Sequence, residues 1–276
     1  MSRERVLELE AGDARLTVHP DRGGRVGSLE VGGVELLQSQ PAQNSLLWGS
    51  YPMAPWAGRV RGGTFEFDDV RHRLPIDAPP HALHGTVHDT EWEVVDAGRD
   101  HCELRCRLDR TGGWTLGGVA HQHVVLDGTG VTFVLSVAAT TDRMPAVVGW
   151  HPCFTPPARV ELHFARMYER DDEGITTARC STPPPLPWEG AVCDDCFTQP
   201  LAPLTLHHPA LHLRITSDCD HWVVFDGAPN ALCVEPQSGP PDAFNLGTAA
   251  VLEPGDLLQR TMRWHWTTPG APPTGR

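Results

Sequence analysis

The sequence predicts an all-β fold, a large antiparallel β-sandwich, and three observations carry that reading. Apolar and polar residues alternate with period two in many short segments, and almost no stretch shows a helical stripe. Turn dipeptides such as Gly12-Asp13, Gly112-Gly113 and Asp127-Gly128 separate many of these segments, which suits antiparallel pairing. Of 276 residues, 27 are Gly and 26 are Pro. That share predicts many turns and few long helices, yet stays below the roughly 25–30% typical of low-complexity disorder.

In chain order, residues 15–19 alternate, Pro20-Asp21-Arg22-Gly23-Gly24 turns, and residues 25–31 resume the alternation. Gly32-Gly33 precedes a strand at 34–37. Further strands are predicted at 64–67, 92–95, 102–108, 122–126, 131–138, 159–164, 211–216, 222–225, 232–234 and 259–266. Strands this numerous, without helices between them, indicate a sandwich rather than a βαβ fold. No repeat of fixed period is visible. The proline-rich segment 181–187 reads as a rigid surface loop, because its prolines lack backbone donors. Residues 1–267 are expected to form one sandwich domain, with 268–276 a flexible tail.

Composition excludes several functions. A net charge of −13 argues against nucleic-acid or anionic-membrane partners, which need a basic face. All 22 positive residues are Arg, so chemistry that requires Lys, such as Schiff-base formation or a P-loop, is ruled out. No apolar run approaches the roughly 20 residues of a membrane span. Acidic residues interrupt Val6-Leu7-Glu8-Leu9-Glu10, so no signal peptide is expected. A cytoplasmic location follows, with the eight cysteines as free thiols.

Five segments place polar groups among Gly, Pro and aromatic residues, as a loop or strand end lining a cleft would. They are Tyr51 to Gly63, His81 to Gly85, Val148 to Phe154, Cys193 to Phe197 and Val234 to Gly239. Together they supply His, Glu, Asp, Arg and Trp, a set suited to acid/base work on a neutral polyhydroxyl ligand. Taken singly, each residue has an ordinary reading. A given His is usually a surface or satisfied core residue, Arg59 a surface ion-pair partner, and Glu235 the end of a buried strand. Cys193 and Cys196 form a C-x-x-C pair, but a structural zinc needs a second pair and a thioredoxin-like motif needs βαβ surroundings. Small residues packing in a loop explain it better. No metal is expected there or at His121 and His123, which would share one strand face.

At these five segments the sequence resembles the aldose 1-epimerase (galactose mutarotase) family, especially its shorter branch. Pro55-Trp56-Ala57-Gly58-Arg59 is similar to the family's Pro-x-x-Asn-Arg, and Leu83-His84-Gly85 to its His-Gly segment. Gly149-Trp150-His151-Pro152-Cys153-Phe154 resembles Gly-x-His-Pro-Tyr-Phe, Asp194-Asp195-Cys196-Phe197 resembles Asp-x-x-Phe, and Val234-Glu235-Pro236-Gln237 its Glu-Pro segment. Five matches in the family's order are far more specific than any one. The resemblance implies a galactose mutarotase-like supersandwich and a cofactor-free sugar isomerase. It implies Glu235 as general base, His151 as general acid, His84 as a second catalytic histidine near the ring oxygen, and Arg59 and Asp194 as holders of sugar hydroxyls. Gly58 stands where the family has Asn, and Cys153 where it has an aromatic residue, which bears on the identity of the sugar. The partner implied is a small-molecule sugar, and a homodimer is left open. Two alternatives remain: a hexose-6-phosphate epimerase using Arg59, Arg61, Arg71 and Arg73, and a sugar-binding protein without chemistry.

Overall fold

The computed structural model describes residues 4–39, 45–184 and 192–267. Residues 185–187 of the predicted proline-rich loop, and the predicted tail, lie outside them. Among the described residues nearly all regular structure is antiparallel strand, and the only α-helix is the single turn Ala243–Leu246. An 11-stranded sheet runs in the order Leu7–Ala11, Ala14–His19, Arg25–Val31, Ser50–Met53, Gly149–Phe154, Ala231–Gln237, His221–Ala228, Asp194–Pro200, Phe164–Arg170 and Thr176–Ser181, with Val34–Glu35 paired at its side. An 8-stranded sheet faces it, in the order Glu93–Ala97, His101–Arg107, Val119–Leu126, Gly130–Ala138, Leu257–Thr267, His212–Ser217, Leu204–His207 and Arg159–Glu161.

Period-two patterning explains why these segments pair as they do. Along Val119–Leu126 the side chains of Ala120, Gln122, Val124 and Leu126 are buried, and along Leu257–Thr267 those of Leu258, Met262, Trp264 and Trp266. They meet Trp150 and Phe154 from the larger sheet: Trp264 lies 5.2 Å from Phe154, ring centre to ring centre, and 4.6 Å from Phe133 of its own sheet. Fully burying a Phe contributes roughly 1.5–3 kcal/mol. Gln122 is the polar exception in this layer and is satisfied. Its amide donates to the Gly24 carbonyl at 2.7 Å, and its oxygen accepts from the Trp150 indole at 3.3 Å.

The structure departs from the sequence-based expectation in a few places. The expected strand at 159–164 is two strands, Arg159–Glu161 in the smaller sheet and Phe164–Arg170 in the larger, because the chain crosses between sheets there. The strand expected at 34–37 shortens to Val34–Glu35. Strands at Ser50–Met53, Gly149–Phe154, Thr176–Ser181 and Asp194–Pro200 give no clear alternation in the sequence, and the four-residue Leu204–His207 alternates but is not among the expected strands. Gly149–Phe154 is buried at every position. A strand covered on both faces has no polar face for periodicity to detect.

Candidate active site

Two adjacent strands near the middle of the larger sheet bring an imidazole and a carboxylate together. Gly149 pairs with Gln237 and Cys153 with Cys233, so the register sets His151 directly opposite Glu235. Between these pairs the regular ladder lapses, where Pro152 and Pro236 have no N–H to offer. On its other flank His151 lies opposite Tyr51. Trp150 and Phe154 turn into the core, so alternation sends His151 and Cys153 to the opposite face. The Gly and Pro content of these segments predicts loops or strand ends; His151 and Glu235 instead lie within strands.

His151 Nε2 is 3.2 Å from Glu235 Oε1, and the two side chains are only 7% and 2% exposed. Gln237 Nε2 donates to Glu235 Oε2 at 3.2 Å. The Tyr51 ring stacks on the imidazole at 4.7 Å with a 10° tilt, and the Arg25 guanidinium lies 4.5 Å from the Tyr51 ring centre. Burial raises the Glu235 carboxyl to about 7, against the opposing pull of His151. Burial also works against charge on His151, but Glu235 and Cys153 outweigh it and push the imidazole up to about 9. A buried ion pair returns little net stability after desolvation. Perturbed groups of this kind cluster where chemistry is done.

His84 completes the group, with its ring 4.8 Å from His151 and edge-on to it. It is held at φ +60, a left-handed conformation that costs a non-glycine residue roughly 1–2 kcal/mol. The next residue must be Gly, because a Cβ on Gly85 would fall 2.0 Å from the Ala54 carbonyl oxygen. His84 N–H donates to the Gly58 carbonyl at 3.0 Å, and Gly58 N–H donates back to His84 Nδ1 at 3.3 Å. That bond assigns the ring proton to Nε2. Burial, together with the nearby charges of His151, His88 and Arg59, holds His84 well below the usual histidine range, so it stays neutral. Gly58 itself has φ +69, and a Cβ there would lie 2.8 Å from Pro241 Cβ. Pro241 therefore fills the space that the family's Asn side chain would need.

These groups form the floor of a cleft of about 230 Å³ whose lining includes Arg59, His84, His151, Asp194 and Glu235. All five sequence-predicted site residues thus share one site. The volume lies below the roughly 300–1,000 Å³ of pockets for drug-sized ligands, so one small ring fits. Arg59 Nη2 pairs with Asp194 Oδ2 at 3.1 Å, and Arg170 Nε with Asp195 Oδ1 at 2.8 Å. Sequence reasoning assigns no role to Tyr51, Gln237, Arg170 or Pro241, although Tyr51 and Gln237 fall within the segments it picks out; their roles depend on cross-strand register. The C-x-x-C pair is not packed in a loop as expected. Cys193 enters the core and Cys196 lines the cleft, on or just before the strand Asp194–Pro200.

Among the described residues, two groups of side chains come close enough to suggest metal ligation. One is His84, His151 and Glu235; the other is His151, Cys153 and Cys233. Neither suits a resident ion. Both His84 nitrogens are committed, one as acceptor and one carrying the proton. The Cys153 and Cys233 sulfurs lie 2.8 Å apart. Two bonds of roughly 2.3 Å to a tetrahedral metal would hold them about 3.7 Å apart.

A two-sheet sandwich with this cleft defines a protein of the galactose mutarotase-like fold. A galactose mutarotase-like protein from Clostridium acetobutylicum superposes with a TM-score of 0.87 at 16% identity, covering 96% of each chain. Galactose 1-epimerase from Lactobacillus acidophilus NCFM superposes with a TM-score of 0.81 at 15% identity, covering 97% of this chain and 98% of that one. The aldose 1-epimerase family model matches residues 5–265, and the chain belongs to that family. Among curated proteins, the uncharacterized protein YihR of Escherichia coli K12 is 23% identical over 89% of this chain and 88% of its own length. No helix among the described residues is long and apolar enough to cross a membrane.

Proposed function

We propose that this protein is an aldose 1-epimerase acting on a free aldose. The observation that carries the reading is the 3.2 Å contact between His151 Nε2 and Glu235 Oε1, buried at the floor of a cleft sized for one sugar ring. Opening the hemiacetal requires loss of the C1 hydroxyl proton and delivery of a proton to the ring oxygen. Glu235 as carboxylate takes the first, and His151 as imidazolium supplies the second. The C1–C2 bond then rotates, and closure on the other carbonyl face reverses both transfers. The protons balance at each half-reaction and no atom changes oxidation state, so these transfers need no redox cofactor. His84, neutral with its proton on Nε2, donates to the ring oxygen region. Arg59 and Asp194 exchange their mutual ion pair for sugar hydroxyls.

The charge pattern supports a free sugar over a sugar phosphate. Arg59 and Arg170 in the cleft each face an aspartate partner. Arg61 pairs with Asp171 and Glu173. Arg71 and Arg73 are exposed on the strand Val70–Arg73, outside the cleft lining. A phosphate dianion would have to displace carboxylates from each cation it used. Polarimetry of freshly dissolved α-glucose, α-galactose, arabinose and glucose 6-phosphate tests the proposal. Faster mutarotation of a free aldose, with the phosphate no better, is expected. Sugar binding in calorimetry with mutarotation at the buffer rate would instead favour a carbohydrate-binding protein.

A further inference from the structure

His151 has a second nitrogen, and the structure gives it a partner unusual for such a site. Cys153 lies two residues along the same strand and so on the same face, with its sulfur 3.4 Å from His151 Nδ1. The Cys153 sulfur is also 2.8 Å from the Cys233 sulfur on the neighbouring strand and 3.5 Å from the Leu46 carbonyl oxygen. Both cysteines are fully buried and pack in a small cluster with Ala231. With Cys153 as a thiol, one set of hydrogen bonds satisfies all three contacts. Cys153 donates its S–H to Leu46, and its two lone pairs accept from Cys233 S–H and from His151 Nδ1–H.

We propose that Cys153 is a positioning residue of the reaction, whose sulfur, oriented by Cys233, holds the Nδ1 proton of His151 and leaves Nε2 to exchange a proton with substrate. The inference rests on the acid/base reading above. An imidazolium carries protons on both nitrogens, and a buried N–H without an acceptor costs roughly 1–3 kcal/mol. After Nε2 has given up its proton, the neutral ring must keep the remaining one on Nδ1. Otherwise Nε2 cannot take a proton back when the ring closes. A fixed acceptor at Nδ1 enforces that tautomer. The sulfur can accept from Nδ1–H as thiol or as thiolate; burial opposes its ionisation, but the Cys233 bond and the His151 charge bring the Cys153 thiol down to about 5, and the thiolate form keeps the His151 bond while giving up the one to Leu46. The other groups facing His151 are Glu235, the neutral His84, Tyr51 with Arg25 behind it, and the backbone at His151 itself, which also favours the charged ring. Of the side chains, only Cys153 is within hydrogen-bond reach of Nδ1 among the described residues.

The test is nitrogen NMR of histidine-labelled protein, together with polarimetry, on Cys153→Ala, Cys153→Ser and Cys233→Ala. In the wild type, His151 should show a protonated Nδ1 across the titration. Cys153→Ala should shift the neutral ring toward the Nε2–H tautomer and lower kcat about 10–100-fold with KM nearly unchanged. Cys153→Ser, whose hydroxyl also accepts, should restore both, and Cys233→Ala should give an intermediate loss. Melting curves identify any variant that fails to fold, and Cys153→Ser is the arm that keeps the volume nearly constant. A Cys153→Ala protein that folds with an unaltered His151 tautomer and kcat would overturn the proposal. If wild-type protein turns over no aldose yet its His151 tautomer depends on Cys153, the proposed function fails while the sulfur's hold on His151 stands.

Discussion

Replacing Glu235 by glutamine removes one carboxylate oxygen and the charge it carries while keeping nearly the same volume. The side chain is 2% exposed and lies 3.2 Å from His151 Nε2. Loss of one positioned proton-transfer group typically costs ~10²–10⁴-fold in rate, which is ~3–5 kcal/mol of barrier. The same change acts on His151. Its imidazole stands at about 9 because Glu235 and Cys153 overcome the burial that disfavours its charge. Without the carboxylate, burial regains ground, so the imidazole should titrate well below its wild-type position and lose its proton near neutrality. Polarimetric kcat, an NMR titration of His151 and a thermal melt together read all three effects. A folded variant that keeps kcat within about threefold of wild type, with His151 still titrating as before, would refute the reasoning.

Three further outcomes concern pH and binding, and a fourth concerns the backbone. The pH profile of kcat/KM should be bell-shaped, rising through about 7 as Glu235 ionises and falling through about 9 as His151 loses its proton; a flat profile over pH 6–10 would contradict the pairing, and the two values belong to the pair rather than to either residue alone. Because the folded His151 value lies above its unfolded one, its contribution to stability is complete below about 6.5 and is lost as pH rises toward about 9; melts of wild type and His151→Asn across that range should converge at the alkaline end. Asp194→Ala should raise KM more than it lowers kcat, since it removes binding common to ground and transition states, and an unchanged KM would count against its role. Gly58→Ala should destabilise the fold by about 2–4 kcal/mol, from the left-handed backbone and the Pro241 contact together, measured by denaturant unfolding.

Much of the fold and most of the site are legible in the amino-acid sequence, for reasons that differ by residue. Strands with one face against the core, such as Val119–Leu126, carry the alternation that periodicity detects. The cleft residues His84, His151 and Glu235 stand out because Gly and Pro flank them, marking places where the backbone must do something particular. What the sequence does not carry is register. Cys153 and Cys233 are separated by 80 residues, and nothing local to either announces that their sulfurs meet. The C-x-x-C pair draws attention through its spacing alone, yet a strand sends its two thiols to different surroundings. Tyr51 stacks on His151 only because Ser50–Met53 runs alongside Gly149–Phe154 with one particular alignment.

The close approach of Pro241 to Gly58 has a consequence for how such a site changes over time. Asparagine tolerates the backbone conformation at position 58, so the barrier to restoring the family's amide is the close approach of Pro241, whose Cβ, Cγ and Cα would stand 2.8, 2.9 and 3.0 Å from the new Cβ. The two positions are therefore epistatic. Losing the ring alone removes only Cγ from that contact, so an amide at 58 also needs a glycine at 241 or a shift of the backbone there. Variants of this cleft with an amide at 58 are therefore expected to carry a backbone change at 241 as well.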